Sequence, residues 1–165
     1  MNRAKLVTFV AIVSMFAGAS ACTDPVHDDA VSSLGGEENG VRRGPTHRPG
    51  QPCLTCHSDD GPGEPAFSIA GTVYATREQP DPAPGVTIQL IDARGDEKTL
   101  ISNSVGNFYV ATGAWSPTFP VRVSISQDNL TVPMQTLING AGSCASCHRG
   151  DPTQGSMPPV YLRNE

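Results

Sequence analysis

The chain is poor in aromatic residues: 5 Phe, 3 Tyr and 1 Trp in 165 positions. Charged residues make up only 16%. It also lacks any apolar run long enough to cross a membrane, since the longest, Leu6 to Phe16, falls short of the roughly 20 residues a spanning helix needs. Basic charge is in deficit, with 11 Lys and Arg against 16 Asp and Glu and a formal net charge of −5. That balance argues against nucleic acid or an anionic membrane surface as a partner. No phosphate-binding loop, dinucleotide fingerprint or Ser-His-Asp order is present, and Asp59, Asp60 and Glu64 do not match a calcium-loop spacing. Nor is there a sustained helical period. Gly 17 and Pro 15 are plentiful instead, which points to short strands joined by turns.

The length suits one domain. Met1 to Lys5 carries Arg3 and Lys5, an apolar stretch follows, and Ala17 to Ala21 are small residues. This is the three-part plan of a secretory signal peptide over 1–21. The segment Ala19-Ser20-Ala21-Cys22 resembles the lipobox of bacterial lipoproteins, although Ala19 stands where Leu is usual. The resemblance implies that Cys22 is lipidated and anchors the chain to the cell envelope. The residues after it, Thr23-Asp24, lean towards the outer membrane, facing the periplasm or the surface. An ordinary cleavage site beside a chance Cys is the plainer alternative. Residues 22–52, rich in Gly, Pro and polar types, are expected to form a flexible tether, because they hold little apolar surface to offset ordering.

Cysteine and histidine are few, 5 and 4, yet four and two of them fall into one pattern repeated twice. Cys53-Leu54-Thr55-Cys56-His57 and Cys144-Ala145-Ser146-Cys147-His148 are both C-x-x-C-H, for which chance gives roughly 0.004 occurrences in a chain of this composition. The pattern resembles the haem-attachment motif of c-type cytochromes. Two thiols at this spacing can form thioethers to the two vinyl groups of one porphyrin, and the adjacent imidazole lies where it can bind the iron. The resemblance implies two covalent haems, on Cys53 and Cys56 and on Cys144 and Cys147, with His57 and His148 as axial ligands. With Cys22 assigned to lipid, every Cys has a role.

Residues 53–165 are expected to form an all-β domain. Phe67–Ala75, Val86–Leu90, Lys98–Asn103, Gly106–Thr112, Phe119–Ser126, Leu130–Ile138 and Pro159–Arg163 alternate or are bounded by turn residues, giving about seven short strands. Pro133 demotes the sixth to a sheet edge. This predicts an antiparallel sandwich of immunoglobulin-like or transthyretin-like form. Gly71-Thr72-Val73-Tyr74, Pro84-Gly85-Val86-Thr87-Ile88 and Ser104-Val105-Gly106-Asn107-Phe108 resemble the carboxypeptidase regulatory-like domain, over about residues 67–138. That resemblance implies a fold and no activity. Each C-x-x-C-H precedes a strand ending in Val-Tyr (Val73-Tyr74 and Val160-Tyr161). If the first and last strands pair in parallel, both motifs meet at one pole of the sandwich.

A six-coordinate haem needs a second ligand. The candidates are His47, just ahead of the first motif, and Met157, which precedes Pro158-Pro159. Met134 reads as a packing residue, His27 as a solvated tether residue, and Trp115 as a turn aromatic that packs on the sandwich. The expected function is an envelope-anchored dihaem electron-transfer lipoprotein serving a redox partner protein, a carrier rather than a catalyst. Two other readings stand beside it. One is a haem-free binding or structural module with a four-cysteine zinc site or two local disulfides. The other is a haem enzyme or sensor with an open iron.

Overall fold

A computed structural model describes residues 24–164 apart from 79–80, 151–152 and 154. The expected signal peptide and the lipidated Cys22 lie outside the described residues.

Seven strands build two sheets among the described residues. They are β1 (Phe67–Thr76), β2 (Thr87–Ile91), β3 (Glu97–Ile101), β4 (Asn107–Ala111), β5 (Arg122–Gln127), β6 (Leu130–Pro133) and β7 (Val160–Arg163). One sheet has the order β4-β1-β7 and the other β3-β2-β5-β6. The all-β sandwich expected from the alternating pattern is therefore present. In β2, Ile88 and Leu90 turn inward and Gln89 outward; in β5, Val123 and Ile125 turn inward. Together with Ile69, Val73, Val86, Phe108, Val121 and Leu162 they form one core. Burying a side chain of this size stabilises by about 1.5–3 kcal/mol over leaving it exposed, so this cluster holds the two sheets face to face.

Pro133 closes β6, which lies at the sheet edge as its missing N–H demands. The fifth strand is shorter than its apolar alternation suggests and begins at Arg122. Pro120 cannot donate to the ladder, and Val121 makes only an isolated bridge to Ile138. Met134 and Trp115 pack against the core, as expected of them.

The strand that positions everything else is β1. It pairs antiparallel with β4 and parallel with β7, where Val73 lies opposite Val160 and Tyr74 opposite Tyr161. The two Val-Tyr pairs are thus in register, and the segments feeding β1 and β7 arrive from the same end. The middle of β1 is buried on both faces. Ile69 and Val73 face the core, while Thr72, only 6% exposed, is covered by residues outside the sandwich.

Those covering residues include the segment expected as a tether. Residues 24–52 carry a helix, α1 (Pro25–Ser33), capped by Asp24, whose carboxylate accepts from the Val26 and His27 N–H groups. From there the chain runs across the three-stranded sheet. The Gly50 N–H donates to Thr72 Oγ1 at 2.8 Å, and Asn107 Nδ2 donates to the His47 carbonyl at 2.9 Å. None of residues 24–52 is fully buried, in keeping with the low apolar content of the stretch. Such a composition does not exclude attachment by hydrogen bonds to a neighbour's buried polar groups.

Candidate functional site

Each C-x-x-C-H begins with a single 3₁₀ turn, Cys53–Thr55 and Cys144–Ser146. The two turns are built alike. His57 N donates to Cys53 O at 2.8 Å, and His148 N to Cys144 O at 2.9 Å. A Pro- and Gly-containing loop then returns to the motif in both cases. Phe67 N, at the head of β1, donates to His57 O, and Met157 N donates to Cys147 O, both at 2.8 Å. Gly61 is required for the first return, because a Cβ there would collide with the Cys56 carbonyl.

Both motif histidines are held by the same device. His57 Nδ1 lies 2.9 Å from the Pro65 carbonyl and His148 Nδ1 lies 2.7 Å from the Pro158 carbonyl. A carbonyl can only accept, so each Nδ1 carries a proton, and in the neutral ring each Nε2 keeps its lone pair. This is the tautomer a metal-ligating histidine needs, with the outer nitrogen tied to a backbone acceptor. The His57 ring is fixed further by stacking on Phe67, centroids 4.2 Å apart, and Phe67 stacks in turn on Tyr109 at 4.6 Å.

The two motifs are neighbours. Both turns pack against β1, and Gly142-Ser143, leading into the second, runs alongside Ala70 in parallel. Cys144 sits over Gly71, so that a Cβ on Gly71 would lie 2.9 Å from the Cys144 Sγ. Burial pushes the Cys144 thiol up to about 12, with the nearby Cys53 sulfur adding to the effect. Burial also raises the Cys53 thiol, with Cys56 beside it. The second cysteines differ, Cys56 being half-buried and Cys147 exposed. Cys53, Cys56, Cys144 and Cys147 are all free thiols. Among the described residues no group of three or more His, Cys, Asp and Glu is placed to hold a metal ion.

A cavity of about 670 Å³ opens beside the first motif. Its lining includes Cys53, Cys56 and His57 of the motif, the aromatic rings of Phe67 and Tyr109, and Leu34, Glu37 and His47. That volume lies within the range of cofactor pockets, whose walls are mostly apolar with a few placed polar groups. His47 belongs to this site, its ring centroid 5.9 Å from that of His57. Its Nδ1 lies 3.3 Å from Glu37 Oε1. Arg48 Nε approaches the other carboxylate oxygen at 3.3 Å. Burial would raise the Glu37 carboxyl, but hydrogen bonds from His47 and Arg48 outweigh it and hold it below the usual range.

The remaining candidates fall elsewhere. Met157 is 56% exposed, and only its backbone serves the second motif, through Cys147 and Gly150. His27 is not a solvated tether residue. It lies half-buried on α1, and its Nε2 donates to Thr55 O at 2.7 Å, inside the first motif. Glu37, Arg48 and Asn107, which build the wall around His47, have no sequence signature that would have singled them out. No family model matches this chain, and neither a curated protein nor a solved structure matches it.

Proposed function

We propose that the protein is a lipid-anchored electron-transfer protein of the bacterial envelope carrying two covalently attached haems. Cys53 and Cys56 would hold one and Cys144 and Cys147 the other, with His57 and His148 as axial ligands through Nε2 and His47 as the second ligand at the first site. Met157, whose backbone bonds to Cys147, is the candidate at the second. Haem supplies the one-electron chemistry. The chain binds the porphyrins, fixes the imidazoles and limits water at the first site. The redox partner is a protein of the envelope, and a basic docking face would complement the acidic chain.

The observation that carries this reading is the pair of Nδ1–carbonyl bonds, at 2.9 and 2.7 Å, which present two Nε2 lone pairs beside two thiol pairs. A haem-free module with local disulfides needs neither histidine in this tautomer. The cavity beside Cys53, Cys56 and His57 fits the same reading.

The test is expression in a host with cytochrome c maturation, followed by a denaturing gel stained for covalent haem. Cys53→Ala and Cys144→Ala should each remove about half of the stain. A colourless band from the parent protein would overturn the reading in favour of the haem-free module.

A further inference from the structure

Resting on the haem reading above, we propose that Glu37 is a positioning residue for the first site, setting the tautomer, direction and basicity of His47 as the second iron ligand. His47 reaches the cavity on a stretch with no regular structure, so something other than a helix or strand must aim it. Its backbone is fastened from below. Asn107, 6% exposed, donates Nδ2 to the carbonyls of Pro45 and His47, and its Oδ1 accepts from Thr72 Oγ1 at 2.7 Å. The Thr72 hydroxyl oxygen accepts in turn from Gly50 N. Residues 45–50 are thereby tied to β1 and β4, the strands that also carry Thr72 and Asn107.

The ring is fixed from the side by Glu37. A carboxylate accepts, so the bond at 3.3 Å places the proton on His47 Nδ1 and leaves Nε2 as a donor for a metal. The side chains of His47 and Glu37 are 25% and 21% exposed, which shields the bond from water. Glu37 cannot swing away freely. Its Oε2 is buried and held by the charge of Arg48, and Arg48 is itself anchored by donating Nη1 to the Leu34 carbonyl at 3.1 Å and to Gln51 Oε1 at 2.8 Å. The result is a carboxylate–histidine pair facing a second histidine whose Nδ1 is tied to a carbonyl. A carboxylate partner makes the imidazole a stronger donor than a carbonyl partner does, so the two ligands are unequal. A stronger donor favours the oxidised iron, and loss of the carboxylate should shift the midpoint potential upward.

The test uses the full chain loaded with haem in a maturation-competent host, with intact mass confirming two covalent haems before any variant is read. A parent protein without haem would sink the underlying reading and this inference with it; a loaded parent isolates the present one. Spin state is read by electron paramagnetic resonance and by carbon monoxide binding to the reduced protein. Potentials are read by spectroelectrochemistry. In His47→Ala, one of the two haems should become high-spin and bind carbon monoxide, and added imidazole should return it to low-spin. In Glu37→Gln, one of the two midpoint potentials should rise and part of one haem should become high-spin, while Glu37→Asp, which keeps the charge, should restore most of both. If Glu37→Gln does not accumulate, Glu37→Ala, which also removes the charge, carries the test with the same rise expected. Loaded Glu37 variants with parental potentials and spin state would overturn the proposal, as would a His47→Ala protein with both haems unchanged.

Discussion

At the scale of single residues, the four motif cysteines are not equivalent. Cys147 is exposed while Cys144 packs over Gly71, and burial raises the thiols of Cys53 and Cys144. A thiol raised to about 12 carries, near pH 8, roughly a thousandfold less thiolate than one at the ordinary value of about 8.5. In folded protein made without haem, iodoacetamide should therefore modify Cys147 at least 100-fold faster than Cys144. Timed quenching and peptide mass spectrometry would measure the ratio, and unfolding in urea should abolish it. Equal rates in the folded protein would mean that Cys144 does not pack over Gly71. The residue scale is also where sequence reading reached furthest. C-x-x-C-H names six side chains outright, because the pattern is local and its chemistry depends on spacing. Glu37 was beyond reach. It lies 10 positions before His47, in a polar stretch where one carboxylate looks like any other, and only the fold of residues 34–51 brings the two together.

At the scale of elements, β1 does two jobs. One face contributes Ile69 and Val73 to the core, and the strand also seats both motifs. At Gly71 the approach leaves no room for a side chain, a Cβ falling 2.8–2.9 Å from Cys144 Cβ and Sγ and from the Phe108 ring. Neither neighbour can retreat, Phe108 being locked in the core and Cys144 fixed by its turn. Gly71→Ala should cost about 1–3 kcal/mol, as overpacking of a filled site does. Gly113→Ala, with nothing within 4 Å of the added methyl, should stay within about 0.5 kcal/mol of the parent. Denaturant unfolding of the pair decides it. Alternation of apolar residues and turn punctuation were enough to locate seven strands, and Pro133 to put β6 at the sheet edge. Alternation could not reveal that Thr72 is covered, because a strand buried on both faces by loops reads like any half-buried strand. Nor could it foretell α1, whose residues have no apolar stripe and no buried member.

At the scale of the whole molecule, stability against acid should depend on one side chain outside the motifs. Asp92 is 5% exposed, and its carboxylate accepts from the N–H groups of Thr118, Asp96 and Arg94, tying the β2–β3 turn to the approach to β5. Those bonds, that from Thr118 foremost, hold its carboxyl below the usual range. A group whose folded value is depressed stabilises in full above its unfolded value, about 3.9, and loses that contribution as pH falls through the folded value. Asp92→Asn should therefore be less stable than the parent across neutral pH, and the gap should narrow only below about pH 4. Urea midpoints taken from pH 7 to pH 3 would show it, and a gap that stayed constant down to pH 3 would contradict it.

The parallel join between β1 and β7 has a metrical consequence. Val73 opposite Val160 helps fix how far along a shared axis the two C-x-x-C-H turns stand from one another. Side chains alternate in direction, so the smallest slip that keeps Leu162 pointing inward is two positions, or about 7 Å of travel. There is no finer adjustment, so the spacing of the two motifs is set in whole steps by the same Val-Tyr pairs that close the sandwich.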